Sequence, residues 1–497
     1  MSEIFTQLPA LQVVVPLFGA LLAALSRRGR TAYVLALIVS WLMPVISSLL
    51  LWQALTAGPI SYHLGGWPPP WGIEYRIDAF NGLVLMMISA VGALIMPFAY
   101  RSVADEIDAD KQAWFYSMYL LCLTGLLGIA ATGDAFNAFV FLEVSSLSAY
   151  VLIGLGRDRR ALLASFQYLI MGTIGATFYV IGIGLLYTVT GSLNIFDIGA
   201  RLASAFAVQP NAVFAALGFI TVGLGLKLAL FPLHVWLPNA YAYAPSVVTA
   251  FLAATATKVA VYLLVRFAFG VFGQALDFHA LPVADFILAL SVAAMYVAAF
   301  VAIFETNLKR MLAYSSVSQI GYITLGIGIA NKTGLTGSIV HLVNHAMMKG
   351  ALFLALGAVV FRIGSVKLDD LAGIGRRMPL TMAAFTVAGF GLVGTPGTVG
   401  FISKWYLAIG ALDAGNWFLV FLIVGSSLMA LVYVGRVVEV VWFRDTGPAA
   451  ANASDPPLSM LVPLLLLAAA VIYFGIDTNF TVGIAGQAAA LLLGTHP

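Results

Sequence analysis

Charge is scarce in this sequence. Only 9% of its 497 residues are Asp, Glu, Lys or Arg, against 62% hydrophobic residues, and the mean hydropathy is +1.00. Such a chain cannot cover a soluble surface; its outside must face lipid. The net charge of +3 therefore says little about partners, and what matters is where the few charges sit. Cysteine is nearly absent. Cys122 alone, inside an apolar run, excludes a disulfide framework, a CxxC motif, and thiolate sets for an iron–sulfur cluster or structural zinc. The N-terminus lacks the basic region and small-residue cleavage site of a signal peptide, so the first apolar segment is expected to stay as a helix. No loop is long enough to form a soluble domain, and nothing calls for nucleic acid.

What is present is a series of apolar runs, each long enough to cross roughly 30 Å of hydrocarbon. They predict an all-α, polytopic membrane protein of about fourteen helices: 9–26, 32–53, 78–99, 113–131, 134–155, 162–190, 211–236, 243–268, 281–304, 310–330, 335–361, 379–411, 416–442 and 458–476. The runs 162–190 and 379–411 exceed one crossing, which predicts tilt or a break. The tail after Asp477 holds a weaker run, AGQAAALLLG, too short to span. With the N-terminus outside, the inner loops collect Arg27, Arg28, Arg30, Arg101, Lys111, Arg157, Arg159, Arg160, Lys309, Arg310, Arg362, Lys367, Arg376, Arg377 and Arg444. The outer loops hold only Arg76, Arg201, Arg266 and Lys332. Fifteen against four is a positive-inside bias that predicts both termini on the outer side.

Five basic residues remain inside the predicted helices: Lys227, Lys258, Lys349, Lys404 and Arg436. A cation at the centre of a membrane helix costs about 2.5–3.5 kcal/mol even on the lenient insertion scale. Arg436 lies near an inner end and can snorkel to the interface. Glu143, in FVFLEVSSLSAY, is the acid near mid-membrane. A structural ion pair with it accounts for one lysine but not for four, so the lysines point to an ion or proton path. His341, His345 and Lys349 in HLVNHAMMKG step by four residues and share one helix face, making a polar stripe that suits a proton relay. Haem ligation is the alternative for these histidines, but it calls for a well-placed histidine on a second helix, and outside the polar connections and the tail only His234 and His279 are left, both near span ends. His234, seven residues after Lys227, either extends the relay or is an interfacial histidine.

Pro232 and Pro238 in LALFPLHVWLPN, and Gly394, Pro396 and Gly397 in LVGTPGTVG, interrupt apolar helices close to Lys227 and Lys404. Broken backbone at membrane depth survives where it is buried or lines a wet cavity, and paired breaks in two halves point to a transporter's ion path. QYLIMGTIGATFYVIGIGLL from Gln167 matches HAMMKGALFLALGAVVF from His345 at a spacing of about 178 residues. The same shift carries Lys227 to the neighbour of Lys404, Lys258 to Arg436, and Glu143 to the region of Gln319 and Gly321. These matches predict a duplicated five-helix unit, the second copy inverted because five is odd. The division is an N-terminal segment 1–112, a first unit 113–270, a second unit 281–442, and a C-terminal helix and tail 443–497.

Five ordered blocks carry a family resemblance: TGDAFNAFVFLE, LKLALFPLHVWLPNAYAYAPS, NLKRMLAYSSVSQIGYI, HLVNHAMMKGALF and GTPGTVGFISKWY. Over roughly residues 75–445 the chain resembles the antiporter-like subunits shared by respiratory complex I, membrane-bound hydrogenases and Mrp-type cation/proton antiporters. The TGDAFNAFVFLE block and the length look most like the D-type subunit of the Mrp antiporters, and no long lateral helix follows the last span. The resemblance implies Glu143 as the acid paired with Lys227, Lys258 as the link to the centre, His341, His345 and Lys349 as a central relay, and Lys404 as the terminal lysine.

The expected mechanism has a physical basis of its own. Opposite charges about 4 Å apart at an effective dielectric near 20 attract by roughly 4 kcal/mol, so moving Glu143 toward or away from Lys227 switches that lysine between holding and releasing a proton. The expectation is a secondary transporter subunit in a bacterial or archaeal-type cell membrane, without cofactor or metal. Its partners would be other membrane subunits, lipid, protons and a monovalent cation, either sodium or potassium. The alternative is a proton-pumping subunit of a redox-driven complex, which would make it part of a translocase. A structural scaffold, an independent channel and a haem-binding cytochrome stand further off.

Overall fold

The computed structural model describes residues 2–274, 276 and 282–494; His279 lies outside them. The helices are α1 (Ser2–Leu25), α2 (Gly29–Ala57), α3 (Ala79–Glu106), α4 (Gln112–Ala131), α5 (Ala135–Gly154), α6 (Arg159–Thr190), α7 (Ile195–Val208), α8 (Pro210–Leu228), α9 (Leu237–Tyr243) and α10 (Ser246–Gly270). There follow α11 (Pro282–Ala293), running through a π-turn into α12 (Ala299–Phe304), then α13 (Leu308–Ile329), α14 (Lys332–Ile363), α15 (Pro379–Val393), α16 (Val399–Asp413), α17 (Trp417–Val438), α18 (Leu458–Ile476) and α19 (Asn479–Leu492). Among the described residues, twelve helices are long and apolar enough to cross a membrane. The more polar α13 and the interrupted pair α15/α16 complete the expected fourteen.

Short polar residues start these helices by accepting the first free backbone N–H groups. Asp78 caps α3 in a reciprocal box with Asn81, Asp134 caps α5, Asn307 caps α13 and Asn331 caps α14. Small residues let helices approach closely inside each unit. A Cβ on Gly223 of α8 would lie 2.6 Å from the backbone of Tyr179 on α6, and one on Gly410 of α16 would lie 2.6 Å from Gly334 on α14. α10 and α14 pack on each other at the centre and are buried over most of their length.

Three features depart from the sequence expectations. An antiparallel hairpin pairs β1 (Ile60–His63) with β2 (Glu74–Ile77), and α7 and α19 are helical where loop and tail were expected. Arg266 and Lys309, counted above as loop residues, are buried. Arg266 pairs with Asp78 at 2.8 Å among the rings of Phe80, Phe196 and Tyr262; Lys309 donates to the Ala244 carbonyl at 3.3 Å and the Ser246 hydroxyl at 3.1 Å.

Each repeated unit makes five crossings: α4, α5, α6, α8/α9 and α10, then α11/α12, α13, α14, α15/α16 and α17. Helix starts at Ala135 and Leu308, and at Arg159 and Lys332, repeat at one spacing, a few residues shorter than the sequence match. Counted from those starts, the position matching Glu143 is Ser316, whose hydroxyl bonds the Leu312 carbonyl at 3.0 Å. At the same count Lys227 falls on Gly400 rather than on Lys404: Lys227 precedes its helix break, whereas Lys404 follows its own.

Candidate functional site

Glu143 lies mid-way along α5, and Lys227 occupies the last turn of α8. The Lys227 ammonium is 3.5 Å from the Glu143 carboxylate and donates to the Ser146 hydroxyl at 2.8 Å. A cation here also suits the negative end of the helix dipole. Beyond Leu228 the chain turns at Ala229, which has φ 61°, and stays unwound until α9. The Trp236 indole N–H spans the gap and donates to the Leu226 carbonyl at 3.0 Å, adding to the long bond this helix-end acceptor takes from the Ala229 N–H at 3.4 Å. Pro232 stands in the unwound stretch. Pro238 does not: it sits in the first turn of α9, where a missing N–H is harmless, so it begins a half-helix rather than breaking one.

A cavity of ≈ 20 Å³ adjoins Lys227, with Ser145, Ser146 and Tyr168 on one side and Leu252, Ala256 and Ala260 of α10 on the other. That is room for about one water, placed between Lys227 and the helix of Lys258. Lys258 is buried and donates to the Ala253 carbonyl and to the Thr257 hydroxyl at 3.2 Å. No protein hydrogen bond joins Lys227 to Lys258 among the described residues.

The stripe on α14 is real, but its members face different partners. His341 bonds Ser403 of α16 at 2.7 Å and Gln319 of α13 at 3.0 Å. The rings of His341 and His345 lie parallel with centroids 6.1 Å apart. Among the described residues neither nitrogen of His345 meets a hydrogen-bond partner, although Lys258 and Lys349 both lie within electrostatic reach of it. Lys349 donates to the Leu312 carbonyl at 2.8 Å and the Ser315 hydroxyl at 2.5 Å of α13.

Lys404 holds the second break. Its ammonium donates to the Leu392 and Val393 carbonyls at 2.9 and 3.0 Å, the last acceptors of α15, and to Ser427 at 3.0 Å. Pro396 lies in the unwound turn between Gly394, φ 88°, and Gly397, φ 84°, backbone values that favour glycine. The Tyr322 ring sits 4.4 Å from the Lys404 ammonium and 5.6 Å from the His341 ring, and its hydroxyl meets Ser427 at 3.2 Å.

Sequence reasoning missed Tyr322, Ser146, Ser403 and Ser427, because hydroxyl side chains are common in membrane helices and only a charged neighbour gives them meaning. The order SQIGY, which places Gln319 and Tyr322 three residues apart, was the available signal. His234 is not on the helix of Lys227. It lies in the unwound segment, where helical stepping no longer applies, stacked on Phe231 and facing Tyr314. Arg436 caps the end of α12 by donating to the Ile303 carbonyl at 2.6 Å. No group of three or more histidine, cysteine or acidic side chains able to hold a metal occurs among the described residues.

Several known proteins are similar to this chain along nearly its whole length. The NADH-quinone oxidoreductase subunit N of Desulforudis audaxviator (strain MP104C) is 41% identical over 484 residues, covering 94% of this chain and 95% of that protein. The D-type subunit of the Na(+)/H(+) antiporter of Bacillus subtilis (strain 168) is 28% identical over 486 residues, covering 97% and 96%. Among solved structures, a chain of the membrane-bound sulfane sulfur reductase, an archaeal respiratory membrane complex, is similar at a TM-score of 0.90 and 30% identity, covering 98% of both chains. A chain of the Mrp complex from Dietzia sp. DQ12-45-1b is similar at 0.88 and 27%, covering 99% of this chain and 98% of that one. The family described as NADH:quinone oxidoreductase/Mrp antiporter, transmembrane, matches residues 132–430. The chain is thus a multi-pass membrane protein, an antiporter-like subunit of Mrp or complex I type, and it belongs to the NADH:quinone oxidoreductase/Mrp antiporter family.

Proposed function

We propose that this chain is the proton-translocating subunit of a multisubunit monovalent cation/proton antiporter, and that protons move along Glu143, Lys227, Lys258, Lys349, His345, His341 and Lys404. The observation that carries the reading is the line of buried titratable groups between two helix breaks, with a carboxylate within 3.5 Å of the first lysine. Units 113–270 and 281–442 act as two half-channels, flanked by 1–112 and 443–497, with both termini on the outer side. Glu143 works as the movable counter-charge of Lys227, and the histidines pass protons between the halves. Sodium and potassium are the candidate cations.

Glu143 also supports work within a complex. Its side chain is 27% exposed on a lipid-facing stripe with Phe136, Val140, Leu147 and Val151. A carboxylate there is costly against hydrocarbon, and a neighbouring subunit would cover it.

A second reading, a proton-pumping subunit driven by a redox partner, is favoured by the 41% identity to an NADH-quinone oxidoreductase subunit. The same residues would serve it. Purifying the intact complex from its native membrane separates the two: cation-dependent proton movement in vesicles without any electron donor supports antiport, whereas co-purified flavin or iron–sulfur proteins and strict dependence on a donor support the redox reading.

A further inference from the structure

One buried titratable group beside Lys227 has no part in the path above. Tyr150 lies on α5 one turn past Ser146, the hydroxyl that receives the Lys227 hydrogen bond. It is buried, and among the described residues its hydroxyl completes no well-aligned hydrogen bond, with the Ser146 side chain within interaction range of it. Buried hydroxyls in native proteins are nearly always bonded, and one that is not asks for a reason. The position is enforced from the facing helix: a Cβ on Gly172 of α6 would overlap the Tyr150 hydroxyl oxygen, so only glycine leaves the hydroxyl its place. Packing alone would be served as well by phenylalanine.

The surroundings say what lies on either side. Toward Lys227 are Ser146 and the ≈ 20 Å³ cavity. Toward the end of the bundle that carries Arg157, Arg159 and Arg160, Ser165 donates to the Tyr150 carbonyl at 2.6 Å. The ring of Tyr168 meets Tyr150 edge-on at 4.7 Å and stacks on Trp236 at 4.0 Å. Tyr168 lines the cavity, so the rings of Tyr150, Tyr168 and Trp236 form one aromatic cluster at its edge, and the Tyr150 hydroxyl lies beside Ser146 within that cluster.

We infer that Tyr150 is the proton gate of the first half-channel, passing protons between the arginine-bearing end and Lys227 through Ser146. In the inward step the Tyr150 oxygen takes a proton from the arginine-bearing side and releases its own to Ser146. Ser146 releases its proton to the neutral amine of Lys227. One proton enters, one is gained by Lys227, and only O–H and N–H bonds change. Rotation of the two hydroxyls restores the starting state. This rests on the proton-path reading above.

The test uses the intact complex reconstituted in vesicles, with proton movement followed by a pH-sensitive dye. Tyr150→Phe keeps the ring and removes the hydroxyl; Gly172→Ala keeps the hydroxyl and displaces it. Both are expected to slow proton movement at least tenfold with assembly unchanged. Tyr150→Phe is also expected to unfold at the same temperature as the native complex or higher, because it deletes an unbonded polar group, whereas a merely structural tyrosine would lower it. Tyr150→Phe at the native rate, with Lys227→Ala inactive, overturns the gate and leaves the path standing. Lys227→Ala at the native rate overturns the path, and the gate with it.

Discussion

The two broken helices carry the same kind of residue in opposite arrangements. Lys227 ends the half-helix before its break and faces a carboxylate, with a single hydroxyl as its other partner. Lys404 follows its break, meets no carboxylate among the described residues, and holds two backbone carbonyls and a hydroxyl. At the first break the helix-end carbonyl of Leu226 is bonded by the Trp236 indole instead. In one half the lysine is free for a charge partner because a tryptophan does the capping; in the other the lysine caps the helix itself. The same kind of break thus leaves one lysine beside a carboxylate and has the other cap a helix end.

The largest effect should come from breaking the switch. Lys227→Ala is expected to reduce proton movement in vesicles to background while the complex still assembles; full activity would sink the proposed path. Glu143→Gln keeps the shape and removes the counter-charge. It should lower the rate by tenfold to a hundredfold without affecting assembly, since an attraction of roughly 4 kcal/mol at about 4 Å and an effective dielectric near 20 is what the carboxylate supplies. Among the described residues no comparable acid faces Lys404, so Ser316→Ala at the matching position should stay within twofold of the native rate.

Buried charge used for structure gives a contrast to both halves. Asp78 and Arg266 join the start of α3 to the end of α10 at 2.8 Å. Removing one partner of a buried pair costs about 3–5 kcal/mol, so Arg266→Met should lower the thermal stability and yield of the complex sharply, while transport per assembled complex stays near native. The double variant Asp78→Ala with Arg266→Met should recover part of that stability. A transport defect out of proportion to the loss of assembly would place Arg266 in the path.

How much of this could be read from the sequence depended on contrast. Lys227, Lys258, Lys349 and Lys404 stood out because each is a charge inside a long apolar run, and Glu143 because no other acid lies near mid-membrane. Arg266 and Lys309 were equally buried but sat near helix ends, where a snorkelling side chain has the same sequence signature. The hairpin of β1 and β2 was hidden in a Gly/Pro-rich connection around GGWPPPWG, whose pattern of short exposed and buried residues is too brief to read. The duplication was legible, but its register was not: the apolar match of Gln167 with His345 runs a few residues longer than the spacing of the helix starts, because one apolar helix can be slid along another with little change in composition. Tyr150 and Tyr322 were invisible as neighbours of the lysines, since a tyrosine in a membrane helix is ordinary until its hydroxyl is placed.

The comparison between the halves is sharpened most finely by stability. Lys227→Met and Lys404→Met both remove a buried ammonium from the proposed path and should both stop proton movement. They differ in what they leave behind. Without Lys227, the Leu226 carbonyl keeps its bond from Trp236, and the hydroxyl of Ser146 can turn to another acceptor. Without Lys404, the Leu392 and Val393 carbonyls at the end of α15 lose their donor at a depth where water is scarce, and each orphaned acceptor costs about 1–3 kcal/mol. Lys404→Met should therefore unfold at a clearly lower temperature than Lys227→Met in the same detergent. Equal stabilities would mean that the second break is held by something other than its lysine, and the contrast between a switching lysine and a capping lysine would fall.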